Sequence, residues 1–413
     1  MSEITPFEIE IAEDVIFDLK DRLSRTRWPD KETVDDWTQG VPLDYQKKLM
    51  DYWLNEYDFQ RLARRLNQYE NFHTPIENLS LHFIHVKSSH THARPLLLSH
   101  GWPGSIVEFL KVIGPLTEPQ EFGLDDRIAF HLVIPSLPGY GFSGKPAQTG
   151  WSVEKMGETF SKLMAQLGYS SYFAQGGDWG SAITSAIARQ DPEHCAGIHL
   201  NMITVPPDPN AEDLTELELS GLAGLKHYQD WDSGYSKQQA TRPQTLGYAL
   251  TDSPSGQAAW ILEKYWSWTD CDGDPENVLS KDEMLDNIMV YWINQTAASS
   301  GRLYWHSFGR GPQPTQVHVP MGGTVFPKEI FRTSKRFAEK MYTNIVHWTV
   351  KDKGGHFAAF EQPDIYIEEI RECFNKYKLS IFSYFIFKIR NFIWIYKITI
   401  PSKIFKCFTK LVY

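Results

Sequence analysis

Between residues 81 and 201 the sequence alternates between two periodicities. Short apolar runs of strand length stand at 81–86, 95–100, 128–134, 172–175 and 197–201. Helical spacing fills 105–113, 152–167 and 181–190 between them. Short buried strands alternating with helices build βαβ units, and hence a mostly parallel sheet. The pattern stops at 202–310, a stretch rich in Trp, Tyr and helix formers that is entered through Pro206-Pro207-Asp208-Pro209. Strand texture returns at 316–319 and 345–350. The expected architecture is an α/β sheet interrupted by a helical insertion, a core with a lid.

Two helical patterns precede this region. In the first, Phe7, Ile9, Ile11, Val15, Ile16, Leu19 and Leu23 recur at helical spacing over 7–26. A second helix is expected over 45–69, with Leu49, Trp53, Leu62 and Leu66 buried. Residues 1–75 read as a helical appendage packed on the rest. The resulting division is an N-terminal helical extension (1–90), a first core segment (91–201), a helical lid (202–310), a second core segment (311–378) and an atypical tail (379–413).

Composition narrows the function classes. With 42% hydrophobic and 14% aromatic residues in 413, the chain has enough apolar mass to offset the entropy of ordering. A net charge of −10 argues against nucleic acid as a partner. The four cysteines, Cys195, Cys271, Cys373 and Cys407, contain no CxxC pair, so neither a disulfide framework nor a zinc site is expected. Residues 1–9 lack the pattern of a signal peptide, and the triplets at Asn78 and Asn294 read as chance matches to a glycosylation signal. A reducing, cytoplasmic location is the expectation. The tail contains eight Ile, six Phe, five Lys and one Arg, with no Asp, Glu, Gly or Ala. It reads as translated non-coding sequence or as a basic, apolar membrane-surface segment. Lys388 and Arg390 argue against a span.

The sharpest chemical signal is Gly176-Gly177-Asp178-Trp179-Gly180, between a short strand and a helix. That is the setting of a nucleophile elbow, with Asp178 where Ser usually stands; the plainer reading is a Gly-rich turn with an Asp N-cap. A carboxylate attacking an amide or ester would give an anhydride. Attacking a saturated carbon, it gives a stable alkyl ester. The electrophile is therefore expected to be an epoxide or an alkyl halide, and water must later cleave the ester with help from a base and an oxyanion hole.

His100-Gly101-Trp102-Pro103-Gly104-Ser105 ends a Leu-rich strand and would aim the Trp102 N–H into the site, joined by the N–H of Trp179. His356 follows Gly354-Gly355 on the loop after the 345–350 strand, where the base of such a fold sits. Glu329, 27 residues earlier, is a candidate orienting acid. Asp208 is a second, and Asp352 stands too near His356 on the same strand end. Ring opening of an epoxide also needs a proton donor, and tyrosine suits an apolar pocket. Tyr228, Tyr235, Tyr248, Tyr265, Tyr291 and Tyr304 are all candidates, and composition does not choose among them.

Taken together, His100–Ser105, Leu137-Pro138-Gly139-Tyr140-Gly141-Phe142-Ser143, Gly176–Gly180 and Gly354-Gly355-His356-Phe357-Ala358-Ala359-Phe360-Glu361 resemble the epoxide hydrolases of the α/β-hydrolase superfamily, in the microsomal-type and juvenile-hormone-type branch. The resemblance runs from about Pro6 to Phe374. It implies an α/β-hydrolase fold with a helical lid and an N-terminal extension that wraps the core and contacts the lid. It implies Asp178 as nucleophile, His356 as general base and Glu329 as charge-relay acid. Ser233-Gly234-Tyr235 and Ser299-Ser300-Gly301-Arg302-Leu303-Tyr304 match the contexts of the two ring-opening tyrosines, which singles out Tyr235 and Tyr304.

The implied reaction takes an apolar epoxide and water to a vicinal diol, with no metal or organic cofactor, in detoxification, aromatic hydrocarbon catabolism or hormone turnover. The N-terminal membrane anchor of the microsomal branch is not expected from residues 1–9, and the tail has no family counterpart. Membrane-surface attachment is thus expected only through the tail. A haloalkane dehalogenase using the same Asp, with Trp102 and Trp179 holding halide, and a catalytically silent ligand-binding protein are the competing readings.

Overall fold

The computed structural model describes residues 3–308 and 315–377. Among these, nine strands form one sheet: β1 (Thr5–Phe7), β2 (Asn71–Ile76), β3 (Leu79–Val86), β4 (Arg94–Ser99), β5 (Phe130–Pro135), β6 (Tyr172–Gly176), β7 (Cys195–Leu200), β8 (Met321–Val325) and β9 (Ile345–Val350). Their spatial order is β1-β2-β3-β5-β4-β6-β7-β8-β9. β1, β2, β3 and β5 pair antiparallel, and every pair from β5 to β9 is parallel. This is the α/β-hydrolase arrangement expected from the alternating pattern. The inner strands are buried on both faces, so Leu96-Leu97-Leu98 reads as an unbroken apolar run.

The strand order places the site. β4 lies between β5 and β6, so the chain leaves β4 for one side and returns past it to the other. At such a switch point the connections diverge and leave a crevice outside the carboxyl ends of the strands. The loops after β4 and β6, which begin at His100 and Gly177, open into that crevice.

Residues 202–308 contain no strand. Their helices include Glu216–His227, Gly234–Thr241, Pro243–Asp252, Pro254–Trp268, Lys281–Ile293 and Ala297–Ser307. The N-terminal region differs from the expectation in two respects. First, it is not only helical: β1 and β2 join the expected β3 in extending the sheet. Asn71, His73, Thr74 and Pro75 hide the alternation in β2, an outer strand where polar residues and proline are tolerated. Second, the single helix expected over 45–69 is two, Leu43–Asn55 and Arg61–Leu66. The break lets Tyr57 turn inward and donate a 2.7 Å hydrogen bond to buried Asp286, on the Lys281–Ile293 helix. Arg65 meets the same carboxylate at 2.7 Å. Leu49, Trp53, Leu62 and Leu66 are buried as expected.

A third difference concerns the strand expected at 316–319. Only Val317 pairs there, in an isolated bridge to Tyr342, and the strand proper is β8. Met321-Gly322-Gly323-Thr324-Val325 is wholly buried but carries too few side chains to signal a strand. The readings of the 379–413 tail fall outside the described residues.

Candidate active site

Asp178 opens the Asp178–Gln190 helix directly after β6 and Gly177. Its backbone lies at φ +48°, a conformation that a side-chain-bearing residue adopts only when its surroundings hold it there. Two glycines allow the turn: a methyl at Gly176 would lie 2.1 Å from the Gly180 carbonyl oxygen, and one at Gly180 would lie 1.9 Å from that of Ser99. This close approach of helix and strands lifts the carboxylate above the sheet edge.

Both carboxylate oxygens are engaged. The backbone N–H of Trp102 donates to Oδ1 at 2.8 Å. Oδ2 lies 3.2 Å from Nε2 of His356. The Trp102–Pro103 peptide is cis. Trp179 follows Asp178 in the first turn of the helix, where backbone N–H groups have no partner within the helix.

His356 is held from three sides. Its Nδ1 donates to Glu329 Oε1 at 2.7 Å, its backbone N–H donates to the Trp268 carbonyl at 2.8 Å, and its ring packs edge-on against the Trp268 indole. Burial disfavours the imidazolium. The charge of Glu329, with the bonds to Asp178 and Glu329, outweighs that and raises the His356 pKa well above the usual range. Glu329 is itself buried and also accepts from the Ile330 N–H at 2.7 Å. The other candidate acids do not meet His356: Asp352 is exposed, and Asp208 caps the Asn210 N–H.

Across from Asp178, a cavity of about 460 Å³ is lined mainly by apolar side chains, among them Trp179, Met202, Val205, Phe308 and Phe331. Of the candidate tyrosines, Tyr228, Tyr235 and Tyr304 line it. Tyr228 donates to Ser236 at 2.9 Å. Tyr304 is buried with no hydrogen-bond partner for its hydroxyl. Tyr235 stacks on Trp102 with centroids 4.9 Å apart and meets Tyr304 edge-on at 5.8 Å. Burial, reinforced by neighbouring acidic groups, raises both phenols well above their usual range, so each keeps its proton. The remaining three lie elsewhere. Tyr248 is exposed, Tyr265 packs on Phe357, and Tyr291 donates to the Gly104 carbonyl at 2.8 Å.

One contributor escaped the sequence. Glu108, in the short turn Ile106–Phe109, lines a small space of about 20 Å³ together with Asp178, His356, Gln175 and Asn201. Burial raises its pKa to about 8, against the lowering effect of His356. No local signal marks it, because a glutamate in a short turn reads as solvated. Among the described residues, the group with metal-ligand spacing is His347, Glu369 and Glu372, away from this site. There Glu369 already accepts from His347, Lys351, Thr324 and Thr349, which leaves little capacity for an ion. No helix of the described residues is long and apolar enough to cross a membrane.

Sheet order and elbow together define an α/β-hydrolase whose elbow presents a carboxylate. Comparison with known proteins agrees. The family model for the epoxide hydrolase N terminus matches residues 4–109, and the one for the alpha/beta hydrolase fold matches 94–235. A Stigmatella aurantiaca (strain DW4/3-1) protein provisionally named an epoxide hydrolase is 50% identical over 374 residues, 90% of this chain and 85% of the relative. Epoxide hydrolase 1 of Sus scrofa is 37% identical over 401 residues, 89% and 88% of the two chains. The crystal structure of juvenile hormone epoxide hydrolase from the silkworm Bombyx mori superposes with a TM-score of 0.85 at 32% identity, covering 92% of this chain and 96% of that one. The chain belongs to the epoxide hydrolase family.

Proposed function

We propose that this epoxide hydrolase opens an apolar epoxide through a covalent ester on Asp178 and releases a vicinal diol. One arrangement carries the proposal. The Asp178 carboxylate is held between the Trp102 N–H and His356, and it shares a largely apolar cavity with Tyr304, whose hydroxyl has no partner. A buried hydroxyl without a partner is costly, and an epoxide oxygen would satisfy it.

In the first half-reaction an Asp178 oxygen bonds to a ring carbon and the C–O bond breaks. Its electron pair passes to the epoxide oxygen, which takes a proton from Tyr235 or Tyr304. Esterification removes the charge of Asp178, and with it one of the influences that keep His356 protonated. The imidazolium returns its proton to the tyrosinate, and the freed imidazole, oriented by Glu329, then takes a proton from water as the water attacks the ester carbonyl. The N–H groups of Trp102 and Trp179 stabilise the oxyanion. The intermediate collapses, its hydroxyl proton passes to the departing alkoxide, the diol leaves, and His356 keeps the proton taken from water opposite the restored Asp178 carboxylate. No step calls on a metal or organic cofactor.

The cavity suits a bulky apolar epoxide. Detoxification and aromatic hydrocarbon catabolism both fit such a substrate. We further propose a cytoplasmic location, supported by three buried free cysteines. Any contact with a membrane surface would be made by the 379–413 tail.

Intact-protein mass spectrometry of His356→Gln mixed with a small aryl epoxide tests the reaction. A gain of one substrate mass on Asp178, absent in Asp178→Asn, is expected. A folded protein that forms no such adduct with aryl epoxides, yet releases halide from a haloalkane, would overturn the proposal in favour of a dehalogenase.

A further inference from the structure

Beneath Tyr235 lies a buried ion pair that the chemistry above does not use. Lys264, on the Pro254–Trp268 helix, is 2% exposed, and Asp232 is 9% exposed. Lys264 Nζ donates to Asp232 Oδ1 at 2.6 Å and to Glu263 Oε1 at 2.7 Å. The other Asp232 oxygen accepts from Ser267 Oγ at 3.2 Å and from the Trp268 indole N–H. Nζ sits 4.6 Å from the centre of the Tyr235 ring and 5.2 Å from that of Trp268.

Stability alone is a poor explanation for such a pair. Two charges taken out of water are costly to desolvate, and well-packed apolar residues often replace them without loss. Its location is more informative. Lys264 and Trp268 are four residues apart and therefore share one face of their helix. Asp232 lies three residues before Tyr235. The pair thus joins the segment that carries Tyr235 to the helix end whose carbonyl, that of Trp268, holds the His356 backbone. A cation over an aromatic face is attracted to it, and it also favours negative charge arising on the phenol oxygen.

We propose that Lys264, held by Asp232, is a positioning residue for ring opening: it fixes the Tyr235 ring and stabilises the charge that develops on its oxygen. The atoms balance as before. The epoxide C–O bond breaks, the ring oxygen takes the Tyr235 proton, and the phenol oxygen bears the charge beside the ammonium until His356 returns a proton. This rests on the reading of Tyr235 as a proton donor.

The test follows ester formation and ester breakdown separately, by acid quench and mass spectrometry of the full chain in single turnovers with a small aryl epoxide. Lys264→Met, which keeps the stem but not the charge, should slow ester formation roughly 10- to 100-fold. Ester breakdown should stay within about 3-fold, because Lys264 acts only on the donor. In a Tyr235→Phe background the same substitution should slow ester formation by less than about 3-fold, because residues acting as a unit are not additive. Equal slowing of both steps, or the same loss with and without the Tyr235 hydroxyl, would overturn the proposal. Lys264→Arg keeps a cation and serves if Lys264→Met does not fold. Ester formation within about 5-fold of wild type supports the proposal, and a folded Lys264→Arg slowed more than about 10-fold refutes it. Wild-type ester formation in Tyr235→Phe itself would remove the donor reading, and this inference with it.

Discussion

His356 contacts, at 3.2 Å, the same Asp178 carboxylate whose ester it is proposed to hydrolyse. In the free enzyme the contact is between opposite charges, and it holds a proton on the imidazole. In the proposed mechanism, Asp178 thereby keeps His356 inactive as a base until the ester has formed. Asp178→Asn mimics the neutral ester. In that variant His356 is expected to titrate at lower pH than in wild type, as followed by NMR of the imidazole nitrogens. An unchanged titration would mean that Glu329 alone sets the protonation of His356.

Glu329 faces the opposite ring nitrogen at 2.7 Å and is buried. Glu329→Gln keeps the shape but removes the charge that stabilises the imidazolium. Ester breakdown should slow by roughly 10²- to 10⁴-fold, the range expected for general-base and triad-acid losses. Ester formation, which needs Asp178 and the tyrosines, should change far less. The ester should therefore accumulate on Asp178 during turnover and be visible by mass spectrometry. Equal slowing of both steps would point to a collapsed site.

The contrast between Glu329 and Glu108 shows what a linear sequence conveys. Asp178, His356 and Glu329 each follow a strand end in the chain order of the fold, so strand texture and glycine punctuation pointed to them. Tyr235 and Tyr304 needed the family resemblance, because in the sequence alone they were two of six candidates. β8 was misplaced by a few residues because Gly322 and Gly323 leave no alternation to read. Glu108, Lys264 and Asp232 were silent for another reason. Their burial comes from segments distant in sequence closing over them, and a charged residue in a turn or on a helix looks solvated until those segments are in place. The antiparallel edge at β1 and β2 was hidden likewise, since outer strands carry little of the apolar signal.

Glu361 supplies a pH test of stability. It is buried, with one oxygen accepting the Asp270 N–H at 2.9 Å and the other without a partner. Burial raises its pKa from 4.5 to about 7. A raised carboxyl retains its proton in the folded state after the unfolded chain has lost its own. Stability therefore falls as pH rises from about 4.5 to about 7 and then levels off. Glu361→Gln removes the ionisation. Urea unfolding should show the variant more stable than wild type by about 3 kcal/mol at pH 8 and by about 1 kcal/mol at pH 5, from 1.36 kcal/mol per pH interval. A gain equal at both pH values would trace to packing instead.

A small space lies beside Glu108, Asp178 and His356. At about 20 Å³ it has room for one water, and Glu108, Gln175, Asn201 and His356 supply polar partners around it. A water there would face both His356 and Asp178, which line the same space. Glu108→Gln keeps a polar group facing it and should leave ester breakdown within about 3-fold of wild type, since a hydrogen-bond partner remains. Glu108→Ala removes that group and should slow breakdown by about 10-fold, the worth of one hydrogen bond, with ester formation unchanged. Gly104→Ala reaches the same end from outside the carboxyl. A methyl at Gly104 would lie 2.0 Å from Glu108 Oε1, so the side chain must swing away. If Gly104→Ala and Glu108→Ala slow breakdown alike and Glu108→Gln does not, the carboxyl acts by holding water. If ester formation falls in all three, Glu108 supports the Trp102 turn rather than the water.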